Sequence, residues 1–207
     1  MKLPDDWKTQ DKSLYIDKYN ILILGDIHFG KYKNIKNDYM DIHQRINKLI
    51  NEFQPNKLIF NGDTWNGFPY DNQSINILQN INTSVNEIIL IEGNHEEKCG
   101  GFSEEIKQEF TTTQQYKINN ILIHHGHHTP YAKVEHHIIG HIHPKYKKDI
   151  IYLHHKNAYY GASVTILPAF NNNIEGHDIR SSDYAGFCPI LSDGIDITKY
   201  DRRETQY

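Results

Sequence analysis

Five short segments of this 207-residue chain carry side chains able to do metal chemistry: "GDIHFG" at Gly25–Gly30, "NGDTWN" at Asn61–Asn66, "EGNHEE" at Glu92–Glu97, "HHGHH" at His124–His128 and "GHIHP" at Gly140–Pro144. Carboxylate, imidazole and amide oxygen without thiolate suit divalent first-row metals such as manganese, iron or zinc. An Asp-x-His or His-x-His pair in extended chain sends alternate side chains to one side, so each pair could feed one site or two adjacent ones. Two metals ~3.5–4 Å apart can clamp a phosphoryl group and generate a hydroxide for in-line attack. A carboxylate between them would relieve their repulsion. Glycine at each turn lets the chain bend sharply and approach a ligand closely.

These segments must be positioned by the elements before them, and those read as strands. "ILIL" (Ile21–Leu24), "KLIF" (Lys57–Phe60) and "EIILI" (Glu87–Ile91) are short apolar runs that end in a glycine turn; such runs fit strands buried on both faces of a parallel sheet. Between the first two, Tyr39, Ile42, Ile46, Leu49, Ile50 and Phe53 recur at three- and four-residue steps, which predicts a helix over Asn37–Phe53 with Pro55 beyond its end. A weaker helix is expected over Gln73–Asn82. This β-α-β-α-β rhythm argues for a parallel α/β core whose ligands gather beyond the carboxyl ends of the strands. After Ile106 helix signals nearly vanish. "YKINNILIHHG" predicts a hairpin turning at Asn119-Asn120. "HHIIGHIH", "DIIYLHH", "ASVTILPAF" and "AGFCPILSDG" read as further strands of a second, mostly antiparallel sheet packed on the first.

The bulk properties are permissive. The length suits one domain, and a formal net charge of -4 argues against a broadly basic nucleic-acid surface without excluding a local groove. Two cysteines, Cys99 and Cys188, make a disulfide framework or a thiolate metal site an unpromising reading. No apolar stretch approaches the ~20 residues that span a bilayer, so a cytoplasmic setting without a membrane partner is the expectation.

Taken in order, the five motifs resemble the signature of the calcineurin-like metallophosphoesterases, over Ile21 to Pro144. "DIHFGK", "GHIHP" and "ILPAFNNNIEG" look closest to the small phosphoesterases encoded beside DNA ligase and their archaeal relatives. The resemblance implies a four-layer α/β/β/α sandwich of two mixed sheets, a single domain over residues 1–207 with no separate cap, and two divalent metal ions, manganese first and iron, zinc or nickel as alternatives. Position by position, it makes Asp26, His28 and His143 ligands of the first metal, Asn94, His125 and His141 ligands of the second, and Asp63 the bridge. His95 would be the unliganded catalytic histidine, stabilising phosphate charge or protonating the leaving oxygen. Two positions depart from the common pattern: Asn66 stands where many relatives carry an acid, and Glu96 stands where aspartate is usual.

The implied activity is dinuclear-metal hydrolysis of a phosphoester through a metal-bridging hydroxide, with a phosphodiesterase or nuclease favoured and DNA, RNA or a nucleotide as substrate. A phosphomonoesterase and a small-molecule phosphodiesterase are the enzymatic rivals. A metal-free scaffold that binds a protein partner is the rival of another class. The chain has fourteen histidines, ten of them between His124 and His155, and most are expected outside the site. His124 belongs to the sheet packing as a neutral, hydrogen-bonded group. His127 either borders the substrate or is solvated, His136 and His137 sit on a strand's approach, and His154 and His155 are read as solvated or as part of a hairpin. Ile142 should face away from the metals, and Pro168–Asn171 either closes the site's rim or simply ends a strand.

Overall fold

The computed structural model describes residues 3–31, 38–67, 70–128, 132–146, 149–159, 161–179 and 188–191. It opens with a hairpin that the sequence reading missed. β1 (Trp7–Gln10) and β2 (Ser13–Ile16) pair antiparallel around Asp11 and Lys12, whose φ values of 43° and 64° are those of a tight hairpin turn. β2 then pairs antiparallel with β3 (Ile21–Leu24). From there the expected rhythm runs: α1 (Asp38–Phe53), β4 (Lys57–Asn61), α2 (Asn72–Asn82), β5 (Glu87–Ile91), two short helices α3 (Asn94–Lys98) and α4 (Glu104–Glu109), and β6 (Thr111–Thr113). β3, β4, β5 and β6 are parallel neighbours in the sheet order β1-β2-β3-β4-β5-β6. α1 stops where its pattern stops, at Phe53, with Gln54 in the left-handed region (φ 47°) before Pro55. The expected start of that helix at Asn37 lies outside the described residues.

The second sheet holds β7 (Gln115–Ile118), β8 (Ile121–His124), β9 (His136–Ile139), β10 (Pro144–Tyr146), β11 (Asp149–Tyr159), β12 (Ala162–Ile166), β13 (His177–Asp178) and β14 (Cys188–Leu191). The β7–β8 hairpin turns at Asn119-Asn120 as expected. The sheet is antiparallel in most of its pairings, as expected, at β7–β8, β10–β11, β11–β12 and β11–β14, but it is mixed: β9 lies parallel to both β8 and β12, and β10 is parallel to β13. Strand direction leaves no trace in a short apolar run buried on both faces. All the described helices precede this sheet.

Alternation decides which layer each side chain joins. Leu22, Leu24, Leu58, Phe60, Ile88 and Leu90 meet the apolar faces of α1, α2 and α4. Ile21, Ile23, Ile59, Ile89 and Ile91 meet Ile121, Ile123, Ile138, Tyr152 and Leu167 between the sheets. Ile151, Leu153, Val164 and Ile166 form a third cluster on the far face of the second sheet, and Ile142 packs there with Ile139, away from the site as expected. Among the described residues no helix is long and apolar enough to cross a membrane.

Several histidines belong to this packing. His124 Nε2 lies 3.1 Å from His137 Nδ1. Thr165 Oγ1 lies 2.8 Å from His136 Nε2 and 2.9 Å from His154 Nδ1, and Trp7 packs on the His136 ring. His154 is therefore buried, not solvated; its ring passes as core with Thr165 as a hydrogen-bond partner. Burial pushes both His124 and His136 down to about 3. Both are neutral in the fold but can charge in the unfolded chain, where imidazole titrates near 6.5. Each lowered value therefore contributes stability that is complete above about 6.5 and is lost as the pH falls from there toward 3. Urea unfolding at pH 7.5, 6.0 and 5.0 will show stability falling across that series. His136→Gln, which keeps a polar partner for Thr165 but cannot charge, will show a shallower fall; an unchanged slope would remove His136 as a cause.

Candidate metal centre

Parallel pairing continues past the strand ends and brings the motif loops together. Asp26 N donates to Gly62 O, His28 N to Asp63 O at 2.8 Å, and Phe29 N to Thr64 O, so the loops after β3 and β4 run side by side. On the second sheet Gly140 N donates to His125 O at 3.0 Å, which aligns the ends of β8 and β9. The two sheets are joined at this point by His141 N, which donates to Asp26 Oδ2 at 3.1 Å. The site thus sits where the carboxyl ends of β3, β4 and β5 meet those of β8 and β9.

The backbone at this seam is unusual. Asp26, His28, Asp63, His141 and His143 all have positive φ, between 47° and 66°. Outside glycine, aspartate, asparagine and histidine are the types that best tolerate this region. Such conformations cost about 1–3 kcal/mol each and persist where the surroundings over-determine them. Here the left-handed turns, rather than the alternation of an extended strand, aim Asp26 and His28, and His141 and His143, at one point.

Glycine permits the closest approach. A Cβ on Gly93 would stand 2.2 Å from Asp63 Oδ1 and 2.3 Å from Asp63 N, closer than any side chain allows. Gly93→Ala will therefore push Asp63 out of place: the protein remains folded by circular dichroism but retains less divalent metal than wild type after gel filtration. A Gly93→Ala protein that takes up metal like wild type would mean that the position of Asp63 does not matter.

Two donor groups result. Asp26, His28 and His143 each offer a ligand atom within 4.8 Å of the others, and so do Asp63, His125 and His141. Asn94 Oδ1 joins the second group, 3.1 Å from His125 Nε2. The groups meet at Asp63. Its Oδ1 accepts the His95 N–H at 3.0 Å, which aims Oδ2 inward, 3.4 Å from His125 Nε2, 3.6 Å from His28 Nε2 and 3.8 Å from His95 Nε2. All eight expected positions are thus brought together.

The electrostatics favour cations. Burial would raise the Asp26 carboxyl, but His143, with Nε2 at 2.9 Å, and then His125 and His28 hold it below the usual carboxylate range. Burial is likewise outweighed at Asp63 by His125, the His95 N–H and His28. Burial pushes His28 down to about 4 against the pull of Asp26 and Asp63, so its ring is neutral, the form in which imidazole can ligate a metal. Both of its ring nitrogens are buried without a hydrogen-bond partner. Polar atoms so placed are costly unless something satisfies them, and a divalent ion fits this donor set.

Residues around the donors carry more than the sequence suggested. Glu96 is buried: Oε2 accepts from Gly93 N at 2.9 Å and Asp63 N at 3.0 Å, and Oε1 accepts from Trp65 N at 3.0 Å. One carboxylate therefore fixes the turns that present Asp63 and Asn94. Its spacing from Gly93 is that of a capping box, a signal available in the sequence. Asn66 does not leave His95 unsupported, because the contact is its backbone carbonyl, 3.0 Å from His95 Nδ1. Pro168–Asn171 is neither rim nor free loop. Ala169 bridges to Gly25, Phe170 enters the helix-side core, and Asn171 Nδ2 donates to Ile27 O at 3.0 Å, so the segment buttresses the loop of Asp26 and His28. Arg45 of α1 secures it, donating to Phe170 O at 2.9 Å over the Phe170 ring.

Comparison with known proteins agrees with this architecture. The family profile described as calcineurin-like phosphoesterase matches residues 19–177. Among solved structures, the nuclease MPE of Pseudomonas putida is similar with a TM-score of 0.69 and 18% identity, covering 88% of this chain and 90% of that one. Yfce, a phosphoesterase from E. coli, gives a TM-score of 0.48 at 16% identity over 86% of this chain and 96% of its own. No curated protein matches the chain.

Proposed function

This chain belongs to the calcineurin-like phosphoesterase family, and from that premise we propose that it is a metal-dependent hydrolase of phosphodiesters, with a nuclease activity as its leading form. One observation supports the reading: two groups of metal-type donors, Asp26, His28 and His143 and Asp63, His125 and His141, drawn from segments more than 110 residues apart in sequence, lie side by side, with Asp63 Oδ2 of the second only 3.6 Å from His28 Nε2 of the first. Asp26, His28, His143 and Asp63 would hold one divalent cation, and Asp63, Asn94, His125 and His141 a second. Nitrogen and oxygen donors without sulfur suit manganese, with iron, zinc or nickel as alternatives. When bound, such a pair supplies Lewis acidity toward phosphoryl oxygens and an activated water.

The chain's own residues do the remaining work. Glu96 and the His95 N–H hold Asp63 in place. The Asn66 carbonyl beside His95 Nδ1 fixes the ring so that Nε2 faces the site. From there His95 can stabilise developing charge on the phosphate and give a proton to the leaving oxygen. His95 is about one-third exposed in its side chain, which leaves room for substrate to reach it.

The diester preference is supported by the fold shared with the Pseudomonas putida nuclease. The net charge of -4 pulls the other way, so a small-molecule phosphodiester is the second candidate. We take the setting to be cytoplasmic, in keeping with the sparse cysteines. Assay of single- and double-stranded DNA, RNA, cyclic nucleotides, bis-p-nitrophenyl phosphate and aryl monoesters under Mn²⁺ tests the reading. Turnover of diesters above monoesters is expected; turnover of monoesters alone would replace it, and a protein without bound metal or activity would point to a scaffold.

A further inference from the structure

Two histidines beside the centre have no role in it. After His125, Gly126 turns the chain with φ 105°, and both of the next side chains reach the same carboxylate on α3. His127 Nε2 lies 3.1 Å from Glu97 Oε2. His128 Nε2 lies 3.1 Å from Oε1 and 3.0 Å from Oε2. The two rings are 4.2 Å apart between centroids, and one ligand atom from each of the three residues falls within 4.8 Å of the others.

Surface ion pairs are common and weak, but this group differs from one in three respects. Among the described residues Glu97 has no lysine or arginine partner, and its charge faces two imidazoles, groups able to ligate a metal. The His127 side chain is only 14% exposed, and its Nδ1 is buried without a hydrogen-bond partner, so the ring has polar capacity that the protein leaves unmet. The cluster also lines a cavity of about 750 Å3 together with Gln114, Gln115 and His125, so it is reached from solvent.

We propose that Glu97, His127 and His128 form a third cation site, separate from the paired donor groups, that takes one zinc or nickel ion from solution. Two imidazoles and a carboxylate leave coordination positions open to water, as three-ligand zinc sites do. Imidazole favours zinc and nickel over manganese or magnesium at the same site. The site therefore fills under zinc and stays vacant under manganese. Its occupant ties α3, which carries Asn94 and His95, to the loop that carries His125. The inference does not rest on the dinuclear reading, since none of the three residues belongs to that centre.

The test is calorimetric titration of the metal-stripped full-length protein with Zn²⁺ and with Mn²⁺, each followed by metal analysis. Wild type should take up one more equivalent of Zn²⁺ than Glu97→Gln or His128→Ala, with no such difference for Mn²⁺. Asp63→Asn should keep this extra equivalent while losing others. If the paired centre fails to bind, wild type still takes one zinc and His128→Ala none. Equal zinc stoichiometry in wild type and both variants overturns the third site, and so does loss of Mn²⁺ binding in folded His128→Ala and Glu97→Gln proteins, which would make the cluster part of the main centre.

Discussion

Asp63→Asn will yield a folded protein that hydrolyses bis-p-nitrophenyl phosphate under Mn²⁺ no faster than the protein-free control and that no longer retains two metal equivalents. The fold should survive for three reasons. Asparagine tolerates the left-handed backbone found here (φ 47°). Its amide oxygen can still accept the His95 N–H in place of Oδ1, so α3 keeps its cap. The Glu96 carboxylate still receives the backbone N–H of the residue at position 63. What vanishes is the negative charge at Oδ2, the atom on which His125, His28 and His95 converge. Without it, two divalent ions held side by side would repel across a neutral amide, and an NH2 group would be turned toward the ligating imidazoles. Metal analysis after gel filtration, paired with the hydrolysis assay and circular dichroism, separates these effects. A folded Asp63→Asn protein with both metals or with residual turnover would show that Asp63 is not the shared ligand.

The centre was legible in the sequence because its chemistry and its turns are written in the same residues. Asp26, His28, Asp63, His141 and His143 are metal-type donors, and they belong to the residue types that accept left-handed backbone. The glycine-punctuated motifs therefore announced which residues would be gathered, while the left-handed backbone that gathers them stands where the sequence suggested extended chain. The parallel core was legible for a related reason: Ile21–Leu24 and Ile88–Ile91 are buried on both faces, and continuous apolar runs say so. What the sequence concealed depended on partners distant along the chain. His154 became core only because Thr165 meets it from the neighbouring strand. The parallel pairing of β9 with β8 and β12 follows from crossovers that no local pattern encodes. The β1–β2 hairpin turns on Asp11-Lys12 rather than on an asparagine-glycine pair, so its strongest local signal was absent. Glu96 looked like a mild variation on an expected aspartate, yet it receives three backbone N–H groups from two loops.

His95→Ala will separate catalysis from assembly. The contact that positions Asp63 comes from the backbone N–H of His95, not from its ring, so alanine preserves it and both metal equivalents should remain bound. The ring itself faces the site with Nε2 3.8 Å from Asp63 Oδ2, packs edge-on against His28, and is oriented through Nδ1 by the Asn66 carbonyl. Its removal takes away a proton donor and a charge stabiliser, a loss of about 10²–10⁴-fold in kcat for a general acid. The size should depend on the leaving group. Nitrophenolate departs without a proton, so bis-p-nitrophenyl phosphate should lose about 10²-fold, whereas an alkoxide leaving group, as in DNA, should approach 10⁴. Asn66→Ala is the control: the orienting atom is a main-chain carbonyl that alanine retains, so its kcat should stay close to wild type. Full activity of His95→Ala with bis-p-nitrophenyl phosphate would remove His95 from the mechanism. An equal loss on both leaving groups would keep it as a charge stabiliser and exclude proton donation, because only the proton distinguishes an alkoxide from a nitrophenolate.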